Sequence, residues 1–205
     1  MKNKAVISVV VIVVVALALA IGFYFLKQDK PVPEGTPAVE QNQIPSGSET
    51  SGKLITGDFS INLPAGWRQA APPFVGVSAM AVNADEIIND PAAEKINFKS
   101  YLAVSYDTLQ GKSMSEYLQT VKDELQKMIS GVVFVNEQDT TINSRSARAM
   151  EVELTQQGID FKILMVAIKG EGEDVWVMSF NTIKSSWDEN KEAFSDIAKS
   201  FSLKI

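Results

Sequence analysis

The sequence predicts an α+β domain built on an antiparallel sheet of about six or seven strands. Two observations lead to this fold class: short segments carry apolar residues at every second position, and short glycine-containing turns join several of them. Two longer segments instead carry apolar residues at the spacing of one helix face. An apolar run and a polar stretch before the domain predict one transmembrane helix followed by a disordered linker.

Length and composition fit one globular domain. The chain has 205 residues, of which 45% are hydrophobic and 21% are charged, enough for a single ordinary core. The acidic excess lies after Lys53, where 14 basic and 21 acidic residues give a net charge of −7. Because an acidic domain repels phosphate backbones, the sequence predicts no nucleic-acid partner.

Two residue types are missing, and their absence excludes several chemistries. The chain contains no Cys and no His, so it has no disulfide, no thiol nucleophile, no Ser-His-Asp triad and no metal site built on imidazole or thiolate. Carboxylates or a Ser/Lys pair are the remaining general bases, and no spacing in the sequence supports either. We therefore predict no catalytic residue, no cofactor and no metal, and expect that the protein is not an enzyme.

The N-terminus predicts a membrane signal-anchor over residues 1–26, with 5–26 as the membrane span. The 22 residues of the span carry no charge, and as a helix they would rise about 33 Å, which matches the hydrocarbon thickness. A cleaved signal peptide is the alternative, because Ala18 and Ala20 have the spacing of a cleavage site. We favour the anchor, since the apolar run is longer than a signal peptide needs.

The predicted location is the cell membrane, with a single pass and an extracytoplasmic domain. Lys2 and Lys4 before the span are balanced by Lys27 and Lys30 after it, so the positive-inside rule alone does not decide the orientation. A four-residue head followed by the whole domain is typical of a signal-anchor, which favours the extracytoplasmic side. The lipid bilayer is therefore one predicted partner, and a membrane or envelope protein is another.

Residues 27–53 predict a flexible linker. They contain four prolines and three glycines among Ser, Thr, Gln and Asn, with almost no apolar residue that could join a core. A flexible coil of this length would reach on the order of 30 Å. The globular domain is then assigned to residues 54–205.

Seven segments of the domain predict strands. Turns at 156–158 and 169–173 are too short for a parallel crossover, so the strands that they join are antiparallel. The predicted strands are Phe59–Leu63, Val75–Val82, Phe98–Tyr106, a region that begins with Val132–Val135, Ala147–Leu154, Phe161–Ile168 and Val175–Phe180.

Two helices are predicted among the strands. Each apolar stripe is preceded by a serine, with a glutamate three residues further on, a pattern typical of a capping box. The two stripes with their boxes are Met114–Met128 with Ser113 and Glu116, and Trp187–Phe201 with Ser186 and Glu189.

The start of the domain, Phe59–Trp67, has the pattern Phe-x-Ile-x-Leu-Pro-x-Gly-Trp. With a long helix, a run of four strands and a closing helix after it, this pattern resembles the PsbP-like domains over roughly residues 54–205. The resemblance implies an antiparallel sheet with helices packed on both faces, an α/β/α sandwich. PsbP itself is an extrinsic photosystem protein, whereas many bacterial relatives are anchored or exported proteins without an assigned activity. The resemblance therefore implies a fold rather than a function.

Gly111-Lys112-Ser113 precedes a predicted helix, as the end of a phosphate-binding loop would. The position five residues before Gly111 is Tyr106 rather than the glycine that such a loop requires. We interpret the motif as a turn glycine followed by an N-cap serine.

Acidic residues cluster at Asp85-Glu86, at Glu151 with Glu153, and at 171–174. Such clusters can form a catalytic carboxylate pair or hold a calcium ion. Glu151 and Glu153 alternate with apolar residues, and the cluster at 171–174 falls in a predicted turn without the ligand spacing of a calcium loop. We interpret both of these clusters as solvated surface.

The candidate interaction surface consists of Trp67, Phe74, Arg145 and Arg148. Trp67 and Phe74 flank a loop with two prolines, where exposed aromatic side chains can bind a partner, and core packing is the alternative for both. Arg145 and Arg148 lie near a predicted turn and are the nearest approach to a basic spot.

The architecture and the lack of catalytic signatures favour a membrane-anchored, extracytoplasmic binding or interaction module. Two alternatives stay open: an assembly or stability factor for a membrane protein complex, and a hydrolase that uses carboxylates or a Ser/Lys pair. An exposed apolar patch around Trp67 and Phe74 would favour the assembly factor. A deep pocket with carboxylates of perturbed pKa would favour the hydrolase.

Overall fold

The structure is a computed structural model, and it describes residues 52–72 and 76–204. The predicted membrane span 5–26 and most of the linker lie outside the described residues. Among the described residues, no helix has the length and apolar character needed to cross a bilayer. The anchor, the linker and the location of the domain therefore stay predictions.

The described residues form ten strands and three α-helices. The strands are β1 (Lys53–Ile55), β2 (Phe59–Asn62), β3 (Trp67–Ala70), β4 (Val77–Asn83), β5 (Tyr101–Thr108), β6 (Val133–Ile142), β7 (Arg145–Gln156), β8 (Ile159–Lys169), β9 (Asp174–Ile183) and β10 (Ser202–Leu203). The helices are α1 (Pro91–Lys95), α2 (Met114–Met128) and α3 (Trp187–Lys199), and a 3-10 turn, Lys184–Ser186, leads directly into α3.

Seven strands form one antiparallel sheet in the order β3-β4-β5-β9-β8-β7-β6. The four consecutive strands β6 to β9 form a meander, which confirms the antiparallel arrangement expected from the short turns. β5 joins this meander through β9, with Tyr101 opposite Asn181 and Thr108 opposite Asp174. The predicted α+β class, with an antiparallel sheet of about seven strands, is confirmed.

One face of the seven-strand sheet, which we call the α2 face, is covered by α1 and α2. The buried residues of α2 are Tyr117, Leu118, Val121 and Leu125, which are three or four positions apart on one side of the helix, as the sequence predicts. They form one core with buried side chains of the large sheet and of α1.

The opposite face, which we call the α3 face, is covered by α3 and by a small antiparallel sheet of order β1-β2-β10. Its core is aromatic: Phe194 of α3 stacks on Phe180 of β9 with ring centroids 5.2 Å apart. Phe59 of β2 lies 5.2 Å from Trp176 and 5.3 Å from Phe201 between ring centroids. Helices therefore lie on both faces of the sheet, as the resemblance implies.

Four short elements, β1, β3, α1 and β10, are absent from the sequence predictions. Each has only two to five residues, too few to show an alternating or helical pattern. Trp67, the last residue of the Phe59–Trp67 pattern, already begins β3 and pairs with Asn83. β1 begins at Lys53, the last residue of the predicted linker.

The two long helices begin in different ways. Ser113 Oγ accepts the amide of Glu116 at 3.3 Å, and the Glu116 carboxylate accepts the amide of Ser113 at 2.8 Å, which confirms the predicted capping box of α2. The box predicted from Ser186 and Glu189 is wrong, because the Ser186 side chain makes no capping hydrogen bond. The 3-10 turn leaves Ser186 at φ −96° and ψ 5°, outside the extended conformation that is typical of an N-cap.

Candidate interaction surface

Trp67 lies in the core of the α3 face. It is 5% exposed and meets Phe194 edge to face, with ring centroids 6.1 Å apart. Of the two interpretations that the sequence left open for Trp67, core packing is the one that the structure supports. Phe74 lies outside the described residues. Trp67 therefore offers a partner no exposed ring.

Arg145 and Arg148 point to opposite faces of β7, and both are ion-paired. An Nη of Arg145 lies 2.8 Å from a carboxylate oxygen of Glu171. The Arg148 guanidinium lies 3.2 Å from Glu137 and 2.9 Å from Asp139. Because β7 is five strand spacings from β3, or roughly 24 Å, the structure does not bring Trp67 together with the two arginines.

The Gly111-Lys112-Ser113 loop has the turn and capping roles expected of it. Gly111 has a φ of +76°, a conformation that favours glycine, and Ser113 caps α2. The Lys112 ammonium donates to Thr120 Oγ1 at 3.1 Å. The amide of Gly111 donates to the carboxylate of Glu173 at 2.7 Å. An anionic side chain of the same chain therefore occupies the place that a phosphate would need.

The carboxylates of β7 are less solvated than expected. Glu151 and Glu153 point away from the buried Val152 and Leu154, as the alternation predicts, but their side chains are only 18% and 23% exposed. Lys162 of β8 lies between them, 2.8 Å from Glu151 and 3.2 Å from Glu153. The interpretation as freely solvated surface is therefore wrong for this pair, because a lysine from the neighbouring strand neutralises it.

The acidic cluster at 171–174 lies in the β8–β9 turn, as predicted. The Glu171 side chain is 83% exposed. Asp174 accepts the Tyr106 hydroxyl at 2.7 Å, and this hydrogen bond raises the pKa of Tyr106. Within the described residues, no group of three acidic side chains is arranged to hold a metal ion.

α3 leaves part of its own face of the sheet uncovered. It packs mainly over β8, β9 and β2, whereas β6 and β7 lie further out in the sheet. Val133 at the start of β6 is 50% exposed and pairs with Glu153, so the two side chains lie on the same face. We call this region the open face, and it comprises Val133, Glu151, Glu153, Lys162, Lys184 and Trp187.

Lys162 is the centre of the open face. Its ammonium lies 4.6 Å from the centroid of the Trp187 ring, within the range of a cation–π interaction. Burial lowers the pKa of Lys162, but the hydrogen bonds to Glu151 and Glu153 outweigh burial and raise it overall. Lys184 lies 2.6 Å from Glu153, and its hydrogen bond lowers the pKa of that carboxyl. Two lysines thus balance two glutamates, and the open face is polar but neutral.

A shallow groove of about 270 Å³ continues the open face toward the β7–β8 turn. Gly131, Val133, Thr155, Asp160 and Phe161 are among the residues that line it. This volume lies below the range of sites that enclose a drug-sized molecule. The groove is therefore better matched to one part of an extended ligand than to a small molecule.

One carboxylate is buried away from the open face. Asp107 of β5 is 8% exposed and accepts the Tyr117 hydroxyl at 3.0 Å. A nearby cavity lined by Lys112, Tyr117 and Thr120 has a volume of about 10 Å³, room for no more than about one water molecule. A buried acid and a lysine are present here, but this cavity has no space for a substrate.

A polar network that the sequence analysis missed connects α3 to the β4–β5 loop. The Glu86 carboxylate accepts Ser100 Oγ at 2.8 Å and Asn190 Nδ2 at 3.0 Å. Ser100 Oγ also lies 2.7 Å from Thr182 Oγ1, and Ser100 and Thr182 are both 0% exposed. Ser100 and Thr182 are 82 positions apart along the chain, and Glu86 and Asn190 are 104 apart. A local sequence pattern gives no signal for such a network, which fixes the first turn of α3.

The sequence matches no family model and no curated protein. Solved structures do match. LpqN from Mycobacterium tuberculosis, involved in cell envelope biogenesis, aligns with a TM-score of 0.55 at 16% identity over 75% of this chain and 90% of its own. Cyanobacterial PsbP from Synechocystis aligns with a TM-score of 0.50 at 15% identity over 78% of this chain and 99% of its own. A protein of unknown function from Pseudomonas aeruginosa aligns with a TM-score of 0.51 at 15% identity over 71% and 92%.

The described domain is an α+β sandwich whose central sheet is antiparallel. It has a PsbP-like fold, which confirms the resemblance found in the sequence. At 15% to 16% identity the similarity concerns the fold alone, because one fold can carry unrelated functions.

Proposed function

We propose that this chain is a binding module of the cell envelope without catalytic activity, anchored in the membrane by residues 5–26 and displayed on the linker 27–53. In this proposal the open face and the adjoining groove form the binding surface. The observation that carries the proposal is the open face itself, an uncovered stretch of sheet with neutralised charges beside Trp187.

The chemistry of the open face supports a binding role. The charges of Lys162 and Glu153 are already paired, so a partner that covers them leaves no isolated charge to desolvate. Trp187 adds an aromatic side chain, one of the residue types that contribute most to binding energy at interfaces. The fold match to LpqN, a protein involved in cell envelope biogenesis, supports an envelope location.

The two alternatives have less support. An exposed apolar patch around Trp67 and Phe74 would favour the assembly factor, and Trp67 is buried. The hydrolase needs a deep pocket beside its carboxylates. The cavity nearest the buried Asp107 holds about one water molecule at most, and the groove beside Glu153 and Asp160 is shallow.

Site-specific photocrosslinking in the membrane tests the proposal. A photoreactive amino acid replaces Val133 on the open face or Ile55 on the small sheet, which are matched in exposure at 50% and 51%. The full-length protein is irradiated in cells, and captured molecules are identified by mass spectrometry. We expect one envelope component to be captured repeatedly from position 133 and not from position 55.

A second variant separates the binding surface from simple proximity. Lys162→Met removes the central charge of the open face while the probe stays at position 133, and it should reduce capture several-fold. Equal capture from positions 133 and 55, or capture that Lys162→Met leaves unchanged, would contradict the proposal.

A further inference from the structure

β6 is the outermost strand on its side of the sheet within the described residues. It has ten residues, whereas β3 at the other edge has four. An edge of this length presents a row of backbone donors and acceptors with which another strand can pair. Natural edge strands are often protected by lysine, proline or a bulge. β6 contains no lysine or proline, and its bulge lies before Gln138.

A bulge divides β6 into two parts. Its register with β7 shifts within residues 135–138, and Asn136 has a φ of +52°. The five residues after the bulge, Gln138–Ile142, pair with β7 without interruption. Because bulges bend and twist a strand locally, this second part is the regular section of the edge.

Asp139 is the charged residue of that regular section. Its side chain is 82% exposed, and its Oδ1 lies 2.9 Å from Nε of Arg148, its cross-strand neighbour on β7. A basic residue next to Asp139 on an added strand would complete a row of alternating charge across three strands, and opposite charges across neighbouring strands attract. The net charge of −7 after Lys53 attracts a basic segment at longer range.

A second copy of the chain fits this edge less well. An antiparallel copy of β6 centred on Gln138 would set Glu137 opposite Asp139 twice, once on each side of the two-fold axis. Like charges directly opposite each other across strands are destabilising. In a copy centred on Thr140, Asp139 would face Thr141 and gain no opposite charge, so a strand of opposite charge fits this edge better than a second copy in either register.

We propose that the edge of Gln138–Ile142 binds an extended segment of a partner protein that carries Lys or Arg at alternate positions. The segment adds to the sheet as an eighth strand: main-chain hydrogen bonds provide affinity, and the basic side chain next to Asp139 provides selectivity. This inference rests on the proposed binding function and names the chemistry of one partner, but it uses the edge of the sheet rather than the open face.

Peptide binding to the full-length protein in detergent micelles tests the inference. The probe is a fluorescent seven-residue peptide that alternates lysine with valine, and the control peptide alternates glutamate with valine. Fluorescence anisotropy gives the affinity, and hydrogen exchange with mass spectrometry shows which amides the peptide protects. We expect binding of the lysine peptide only, with slowed exchange confined to β6.

Two charge reversals distinguish binding at the edge of β6 from general attraction of a basic peptide to an acidic protein. Asp139→Lys should weaken lysine-peptide binding by about tenfold. Asp58→Lys makes the same change of charge in the turn between β1 and β2 and should change the affinity by less than about twofold. If Asp139→Lys lowers the thermal midpoint, Asp139→Asn replaces it, with an expected weakening of about threefold.

Equal weakening by both reversals, or protection spread over the whole domain, would overturn the inference and indicate unspecific attraction to an acidic protein. Absence of peptide binding would overturn it as well, as would a dimer that crosslinks through β6. Crosslinking from Val133 is measured separately, so an open face that captures a partner while β6 binds no peptide would overturn this inference and leave the proposed function standing.

Discussion

α2 and α3 lie on opposite faces of one sheet, and they are fixed there by different means. α2 begins at a capping box within its own sequence and buries a regular apolar stripe. α3 begins after a 3-10 turn without a side-chain cap, and its first turn is held by Asn190 in contact with Glu86 and by Trp187 in contact with Lys162. The first helix start is local in sequence, and the second depends on residues far along the chain.

The difference explains why the α3 face is the better candidate for binding. On the α2 face, the capping box and the continuous apolar stripe of α2 hold the helix over one core. On the α3 face the core includes Ile142, Ala147 and Ala149, but the part of β6 and β7 around Val133, Glu151 and Glu153 is left to ion pairs. Charged side chains that already satisfy each other can stay mostly buried without a helix above them, which leaves this part of the outer strands accessible to a partner.

The largest expected loss of stability follows from a truncation in the aromatic core under α3. Phe194 is fully buried and contacts Phe180, Trp67 and Trp187. Phe194→Ala should lower the free energy of unfolding by about 3–5 kcal/mol, because it removes a large side chain and leaves a cavity. Urea denaturation followed by tryptophan fluorescence measures it. Leu125→Ala in α2 is the comparison, with an expected loss of about 2–4 kcal/mol.

A loss for Phe194→Ala that is smaller than the loss for Leu125→Ala would contradict the view that tertiary aromatic contacts hold α3. The slope of the urea transition should be the same for both variants, which ensures that the same amount of surface unfolds in each.

The next effect concerns the ion pairs of the open face. Lys162→Met keeps much of the side-chain volume but leaves the mostly buried Glu151 and Glu153 with fewer partners. We expect a loss of about 1–2 kcal/mol at neutral pH. Lys184→Met is the control, because the Lys184 side chain is 52% exposed and forms an ion pair with Glu153 only, among the described residues, and an exposed pair contributes about 0–1 kcal/mol.

The dependence of the free energy of unfolding on pH is a second test of these ion pairs. Because the folded protein lowers the pKa of Glu153 below its ordinary value of 4.5, the contribution of this carboxylate is complete above that pH and is lost as the pH falls through the folded pKa. The raised pKa of Lys162 gives a contribution that is complete below its ordinary value of 10.5 and is lost as the pH rises beyond it. In Lys162→Met, stability should therefore change less steeply with pH at both the acid and the alkaline end. A dependence on pH identical to that of the wild type would refute the role given to these ion pairs.

The smallest effect compares the two helix starts directly. Ser113→Ala removes the cap of α2 and should cost about 1 kcal/mol. Ser186→Ala removes a hydroxyl that caps nothing, so its effect should stay below about 0.5 kcal/mol. Thermal unfolding measured by circular dichroism distinguishes the two. Equal losses would mean that the hydroxyl of Ser186 caps α3 after all.

Periodicity and turn lengths were sufficient to predict the long elements. The stripe of α2, its cap at Ser113 and the hairpin turns are each encoded by residues close together in the sequence, and the structure confirms each. Ser186 misled the prediction because Ser-x-x-Glu is the same pattern whether or not a 3-10 turn precedes the helix. Tertiary contacts determine that turn, because Asn190 donates to the carbonyl of Ser186 as well as to the carboxylate of Glu86.

The open face could not be predicted for a similar reason. Glu151 and Glu153 alternate with apolar residues as a solvent-facing row does, and nothing near them in sequence indicates Lys162 on the next strand. The position of Trp67 could not be predicted from its neighbours either. A tryptophan beside a proline-rich turn is equally compatible with surface and core, and its burial depends on Phe194, 127 positions later.

The pairing of β5 with β9 sets the order in which the domain can fold. Tyr101 and Asn181 are 80 positions apart, whereas the hairpins of the β6–β9 meander close over a few residues. Local hairpins form quickly and distant pairings slowly. The β3–β4–β5 part of the sheet, whose own pairings are local, can therefore join the meander only through β9. During synthesis, the two parts of the large sheet stay separate until β9 has emerged, and for a chain that crosses a membrane as predicted, this delay would keep the domain incompletely folded during transport.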